Sequence, residues 1–370
     1  MASRSDSATP KYLQVYGAVR RDIESGRWKE GEQLPSELEL VRTFGVSRIT
    51  VTRAVRDLYQ AGLVERIAGS GTFVKHRRTA AARSFGLLIP DLGETEIFEP
   101  ICHGMMASPL ARECALLWGA AATEDTSKEA RAWNLCRQYI GRAVAGVFFA
   151  PLELTAAKDA VNARILHALD EARIPVVLLD RPVAPYPETG RHDLVGIDNR
   201  RAGYVMTDHL LNLGCRKIGF VGVPNAAFTV AARESGYREA LYARDLAATP
   251  SQRINPDDVA EVRELLETTR PDGLVCANDR TAARLMHSLR QLRYRVPQDI
   301  RVVGIDDVEY ASLLPPPLTT LRQPTHQIGD AALALMLGRI ARRSLPPREL
   351  RLGCELIVRE SCGASLGRAN

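Results

Sequence analysis

Arg48, Arg53 and Arg56 fall within nine residues of one another in the stretch GVSRITVTRAVRDL, residues 45–58. A guanidinium stays charged at every physiological pH and presents its N–H donors as a planar fork. That geometry pairs with guanine O6 and N7, or with phosphate oxygens. If the stretch is a helix, Val51, Ala54, Val55 and Leu58 take the i, i+3, i+4 and i+7 positions and form its apolar side. Ile49, Thr52, Arg53 and Arg56 then point outward, with Arg48 on the first turn. The chemistry is recognition of a polyanion in the major groove, and Ser47, Thr50 and the helix amino end suit phosphate oxygens.

A second set of polar residues closes short apolar runs further on: "SFGLLIPDL", "VAGVFFAPL", "IPVVLLDRP", "KIGFVGVP", "DGLVCAND" and "IRVVGIDD". Carboxylates, Arg and Asn can bind vicinal hydroxyls in fork geometry, and an aromatic ring can cover the apolar face of a sugar. Catalysis finds little support. The chain has no G-x-S-x-G, no G-x-x-x-x-G-K-[ST], no H-E-x-x-H and no dinucleotide glycine fingerprint. Its seven histidines show no ligand spacing, and its seven cysteines include no C-x-x-C, against both a zinc site and a disulfide framework. Asp306 and Asp307 are adjacent, and neighbouring side chains usually point apart. The expectation is a protein that is not an enzyme and holds no cofactor or metal.

The elements that would carry these residues are legible. Tyr12 to Gly26 sets Leu13, Tyr16, Val19 and Ile23 at helical spacing and stops at a glycine. Ser36 is the N-cap of a second helix, with Glu39 as its capping-box partner, running through Leu38, Leu40 and Val41 to Gly45. Ser47 caps the third. "LVERI" and "GTFVK", joined by Ala68-Gly69-Ser70-Gly71, read as a hairpin. Three helices and a two-stranded wing make a winged helix-turn-helix over residues 1–76. Residues 77–84 have no large apolar residue and read as a linker. From residue 85 to 370, near-continuous apolar runs alternate with helical stretches, which indicates α/β architecture with parallel sheets buried on both faces. Six runs over this length suggest two such sheets.

Charge follows the same division. Residues 1–83 carry 15 Lys and Arg against 9 Asp and Glu, a net of +6, leaving −1 for the other 287. The basic excess sits where a polyanion would be met. With 370 residues the chain can hold two or three domains. Its opening has no signal-peptide apolar core, and nowhere do about 18 apolar residues run together, so a cytoplasmic location without a membrane is expected.

Residues 11–76, with Leu34-Pro35-Ser36-Glu37, Gly45-Val46-Ser47-Arg48, Thr50-Val51 and Gly69-x-Gly71-Thr72-Phe73-Val74, resemble the GntR-type winged-helix domain of bacterial transcription regulators. The resemblance implies operator DNA as partner and a DNA-facing set of Ser36, Ser47, Arg48, Thr50, Thr52, Arg53 and Gly69. Two departures stand out: Leu38 replaces a common phosphate-contacting arginine, and the arginine often found at position 52 stands one place later, at Arg53. One residue rotates a side chain by about 100° on a helix. From Ser84 to about Gly363, "FGLLIPDL", "IPVVLLDRP", "RESGYREAL", "ANDRTAARLM", "VVGIDDVEYASLLPPPLTTLRQP" and "ELIVRES" resemble the effector domain of LacI-type repressors, itself similar to periplasmic sugar-binding proteins. The pairing of the two resembles the arabinose repressor subgroup.

By position in those motifs, Arg233 is implied as the main hydroxyl clamp, with Asn278, Asp279 and Asp306 as further polar contacts. Asp91, Phe98 and Phe149 would line the wall from the first lobe, and Asp180 and Gln323 the lobe crossings. The stretch "IPDLGETEIFEP" departs from the family's usual pattern by Glu94 and Glu96, and a carboxylate there facing the cleft would disfavour an anionic ligand. The implied function is a homodimeric repressor released from a palindromic operator by a small-molecule effector, a sugar by resemblance. A ligand-independent architectural DNA binder and an activator responding to another metabolite remain alternatives at this level.

Overall fold

The computed structural model describes residues 10–24, 27–29, 31–60, 63–67, 70–74, 83–90, 96–119, 127–248 and 252–364. The chain divides into two compact units, residues 1–82 and 83–370. In the first, α1 (Lys11–Glu24), α2 (Glu37–Phe44) and α3 (Arg48–Gln60) precede a hairpin of β1 (Val64–Ile67) and β2 (Gly71–Val74). The wing is antiparallel, with Val64 opposite Val74 and Ile67 opposite Gly71. Val51, Ala54, Val55 and Leu58 of α3 are buried with Leu34, Leu40, Val64 and Val74, as the helical spacing requires. Of the expected apolar face of α1, Val19 is buried and Tyr16 and Ile23 are partly buried against the core, while Leu13 departs from it. Val15 and Val19, one turn apart, are inside, while Leu13 is 40% exposed. The capping box of α2 is present, with Glu39 Oε2 accepting from the Ser36 amide at 2.8 Å, and Gly45 ends the helix at φ 60°. That left-handed position suits glycine, which has no Cβ to clash.

In the second unit the chain runs β3 (Arg83–Leu88), α4 (Phe98–Ala107), β4 (Cys114–Trp118), α5 (Lys128–Gly141), β5 (Gly146–Phe149), α6 (Lys158–Glu171), β6 (Val176–Leu179) and β7 (Asp193–Ile197). It continues with α7 (Asn199–Asn212), β8 (Ile218–Gly222), α8 (Phe228–Tyr242), β9 (Gln252–Arg253), α9 (Val259–Thr269), β10 (Gly273–Cys276), α10 (Asp279–Gln291) and β11 (Arg301–Val303). It closes with β12 (Thr320–Arg322), α11 (Thr325–Ala341), β13 (Glu349–Leu352) and β14 (Glu355–Ile357). Two parallel sheets result, in the orders β13-β7-β6-β5-β3-β4 and β11-β10-β8-β9, and β12 pairs antiparallel with β14 as a separate two-stranded sheet.

The six apolar runs fall on β3, β5, β6, β8, β10 and β11. The expected linker ends sooner than residue 84, because Arg83 and Ser84 already belong to β3 and pair with Cys114 and Ala115 of β4. The strands without a sequence expectation include the edge strands β4, β9 and β13. They carry no fully buried run: β4 is only part-buried, and Glu349, Leu350 and Arg351 of β13 are exposed. Helices α7 and α8 lie close enough that a Cβ on Gly203 would strike the Arg233 carbonyl and one on Gly236 the Arg200 carbonyl. Two glycines thus set where the α8 backbone at Arg233 sits.

Candidate nucleic-acid interface and effector cleft

On α3 the side chains of Arg48, Ile49, Thr52, Arg53 and Arg56 are exposed and line one shallow concavity. The helix start is held by Ser47, whose Oγ accepts from the Thr50 amide at 3.3 Å and lies 2.8 Å from Thr50 Oγ1. Both hydroxyls therefore stand at the first turn, where the unpaired amides favour an anion. Ser36 spends its hydroxyl on Glu39 Oε2, 2.8 Å away, and stays exposed. Arg53 does not project straight outward: its guanidinium stacks on the ring of Tyr12 in α1, 3.8 Å from the centroid.

Sequence reasoning missed Glu37. Its carboxylate accepts from Thr52 Oγ1 at 2.8 Å and from Arg66 Nη2 at 2.6 Å, tying α3 to β1 of the wing. The only signal in sequence is its place in the Leu-Pro-Ser-Glu motif. Gly69 lies outside the described residues.

In the second unit Arg233 is 4% exposed. Its Nε–H donates to Asn199 Oδ1 at 2.8 Å and Nη1 to the Ala277 carbonyl at 2.5 Å, and Nη2 lies 3.6 Å from Asp306 Oδ1. Asp306 Oδ1 also accepts from Gln323 Nε2 at 2.7 Å. Asp180 sits in the left-handed region at φ 67°, a strained conformation for a side-chain-bearing residue. A Cβ on Gly196 of β7 would lie 2.7 Å from the Asp180 carbonyl oxygen, so only glycine permits that approach.

Arg181, another residue sequence reasoning passed over, pairs with Asp180 at 3.2 Å and with Glu153, and lies over the Phe98 ring at 5.3 Å. Glu153 in turn accepts from the Ala227 amide at 3.2 Å, at the start of α8. Among the described residues, the buried atoms without a hydrogen-bond partner include the acceptors Asp180 Oδ1 and Gln323 Oε1 and, beside Asp180, the donor Arg181 Nε, which meets Asp180 only as an ion pair at 3.2 Å.

Burial raises the carboxyl pKa of Asp306, against Arg233, and the nearby Asp279 and Asp180 add to the rise. Asp180 is likewise raised by burial, with Arg181 and Arg233 opposing. Glu153 is lowered: burial pulls it up, but the charge and hydrogen bond of Arg181 outweigh that. From Asp306 and Gln323 a cavity opens past Glu96, Glu99, His103, Glu309 and Tyr310. Glu96 is therefore placed on the cavity wall, and Asp91 and Glu94 lie outside the described residues.

Three wall and contact assignments need correction. Phe149, although at a strand end, is 0% exposed and packs in the core with Cys136, Tyr139, Ile165 and Leu169 of α5 and α6. Alternation along β5 turns Phe148 and Phe149 to opposite faces, and Phe149 takes the one packed against α5 and α6. Phe98 is 1% exposed and underlies Arg181 instead of lining the wall. Asp279 is fully buried, accepting from Thr320 Oγ1 at 2.6 Å and from the Val308 amide at 3.2 Å, so both oxygens pin β12 and the loop after β11. Beside it Asn278 caps α10, its Oδ1 accepting from the Thr281 amide at 2.8 Å.

Known proteins share both units. Residues 11–74 match the gntR family of bacterial regulatory proteins, and residues 207–362 the periplasmic binding protein-like domain. An arabinose metabolism transcriptional repressor of Geobacillus stearothermophilus is 30% identical across 96% of this chain and 98% of its own length. Another, from Halalkalibacterium halodurans, is 29% identical across 87% of this chain and 88% of its own. The solved structure of a CelR–cellobiose complex, a transcriptional regulator, matches with a TM-score of 0.63 at 25% identity, covering 85% of this chain and 91% of that one. With a winged helix that presents arginines and a two-sheet unit that gathers buried polar groups at its strand ends, the chain belongs to the family of the arabinose metabolism transcriptional repressors, in which a GntR-type DNA-binding domain precedes a LacI-like effector domain.

Proposed function

We propose that this chain is a sugar-responsive repressor in which Ser47, Arg48, Thr50 and Arg53 hold operator DNA and Arg233, Asp306, Asp180 and Gln323 hold the effector. The observation that carries the effector reading is the pair of buried, donor-less acceptors, Asp180 Oδ1 and Gln323 Oε1, beside the Arg233 donors. A buried polar group left unpaired is destabilising by about 1–3 kcal/mol, so a ligand that supplies hydroxyl donors there gains that energy on binding. The names of its relatives, repressors of arabinose metabolism and of a ribose operon, favour a pentose or a pentose-containing sugar.

Two copies pair, so that two winged helices meet two half-sites and linkage raises the effective concentration of the second. Sugar binding alters the pairing geometry and weakens the operator complex, with a coupling of about 5- to 150-fold. The cell compartment that holds its operator, the cytoplasm, is where it acts, and it binds without catalysing.

The test is a thermal-shift screen of the full chain against mono- and disaccharides, repeated with Arg233→Ala. A sugar at 100 times its dissociation constant stabilises the folded state by about 2.7 kcal/mol. One sugar that shifts wild type and not the variant, and that releases the operator, supports the reading. No shift with any sugar rejects it and leaves the DNA assignment standing.

A further inference from the structure

We propose that Ile49 reads the 5-methyl group of a thymine in each operator half-site. This rests on the DNA reading above and adds to it one residue and the base atom it meets.

Ile49, Thr52, Arg53 and Arg56 stand at i, i+3, i+4 and i+7 on α3, a single stripe on the side away from the buried Val51, Ala54, Val55 and Leu58. All four are exposed, and with Arg48 they line one concavity. Ile49 is 82% exposed, so its side chain gives almost nothing to the core. A β-branched residue is also a weaker helix former than alanine or the straight-chain residues. Neither packing nor helix propensity accounts for an isoleucine at this position.

Its neighbours set what it can meet. Arg48 precedes it and Arg56 lies two turns on, and such charges bring the helix against a polyanion. Beside Ile49 the stripe has few donors to spare. Thr52 Oγ1 gives its proton to Glu37 Oε2 at 2.8 Å, and the Arg53 guanidinium stacks on the Tyr12 ring at 3.8 Å. The first turn of α3 therefore presents an apolar point inside a basic rim. Isoleucine cannot hydrogen-bond a base edge. Of the groups that the four base pairs turn into the major groove, the thymine methyl is the apolar one that distinguishes a base. A methyl seated on Ile49 takes both out of water, where the arginines alone would hold the helix to any sequence.

The experiment uses the full-length protein to enrich a pool of random duplexes, and the recovered consensus is resynthesised with each thymine replaced in turn by deoxyuridine. That exchange removes the methyl group and leaves the pairing as it was. At one position in each half-site, wild-type binding should fall about fourfold, the value of one methyl group taken out of water. Ile49→Ala should bind the unsubstituted duplex more weakly and should not distinguish thymine from uracil at that position. A 5-methylcytosine there should bind wild type more tightly than cytosine does, and the variant equally. The thymine-to-uracil ratio should be the same at low and high salt, because no charge is gained or lost, while the affinity itself falls as salt rises. The deoxyuridine series alters only the DNA, so a misfolded variant cannot decide the matter.

A consensus in which no thymine methyl matters, or a thymine-to-uracil ratio that Ile49→Ala leaves unchanged, overturns the inference and leaves the DNA reading standing. If no sequence is enriched at all, the DNA reading falls and the inference with it.

Discussion

Asp180, Asp279 and Asp306 crowd three carboxyl groups into the interior around Arg181 and Arg233, and their ionisation is where single residues touch stability. Burial lifts Asp306 from an ordinary aspartate value to about 7. A carboxyl whose folded pKa exceeds its unfolded one makes the native state bind more protons than the unfolded chain, so stability is full at low pH and is lost as pH rises through the folded value. For one such group the loss between pH 6 and 8 is about 1 kcal/mol. The thermal midpoint of the ligand-free protein should therefore fall over that interval, and Asp306→Asn should flatten the slope by a comparable amount. An unaltered slope would mean that Asp306 titrates as an ordinary aspartate.

Arg53 belongs to the same scale. Stacked on Tyr12, it can still swing to a base or stay as part of the fold. As a base reader it discriminates by about 1–3 kcal/mol. Arg53→Ala should then weaken operator binding roughly fivefold or more and relax the preference at one base pair. Equal binding across all operator variants would assign Arg53 to the Tyr12 stack alone.

Elements are joined here by buried charge as much as by apolar packing. Asp193 at the start of β7 is fully buried and accepts from Arg339 of α11 at 2.8 Å and from Arg348, just before β13, at 2.9 Å. It also takes the Arg348 amide at 2.8 Å. One carboxylate thus fastens the last helix and the last strand of the first lobe, which arrive from the far end of the chain. Removing one partner of a buried ion pair typically destabilises by about 3–5 kcal/mol, because the other charge stays behind unpaired. Asp193→Ala should lower the unfolding free energy by an amount in that range, read by urea titration. A change under about 1 kcal/mol would show that solvent reaches these arginines freely. In the first unit the corresponding local device is the capping box, and Ser36→Ala should lower stability by about 1 kcal/mol.

Across the second unit as a whole, a short set of contacts joins the loop after β5 and the start of α6 to the start of α8. The Leu154 amide donates to the Asn225 carbonyl at 2.8 Å, Glu153 accepts from the Ala227 amide, and Lys158 lies 4.5 Å over the Phe228 ring. Ala227 is the N-cap residue of α8, and its own amide is met by Glu153 from the other lobe. Because α8 also carries Arg233, opening the lobes would separate this contact and the clamp together. Glu153→Ala should raise hydrogen exchange at the Ala227 amide and weaken effector binding by several-fold. Exchange unchanged from wild type would show that α8 is held without the other lobe.

The sequence by itself determined the local elements and their order: the α3 face through its 3.6-residue period, α2 through Ser36 and Glu39, and the six buried strands through their unbroken apolar runs. These depend on neighbours within a few residues, which is why they could be read. Asp306, Asp180 and Gln323 could be placed just past strand ends, where a parallel sheet gathers its polar groups, whereas Arg233, inside α8, was named only by its place in the motif that resembles the LacI-type effector domain. Tertiary structure alone decided which of them keep a free atom. Asp279 and Asp306 look alike in "AND" and "IDD", yet Thr320 and the Val308 amide claim both oxygens of Asp279, and only the fold brings residues 41 and 29 positions away to it. Phe148 and Phe149 are adjacent and identical, and pleating sends them to opposite layers. Glu37, Glu153 and Arg181 were passed over because their partners lie in other elements, and an ion pair across such a distance has no period to betray it. Edge strands such as β13 were invisible for the complementary reason: a strand with one open side and exposed residues carries no apolar run, and what makes it a strand is the neighbour it meets.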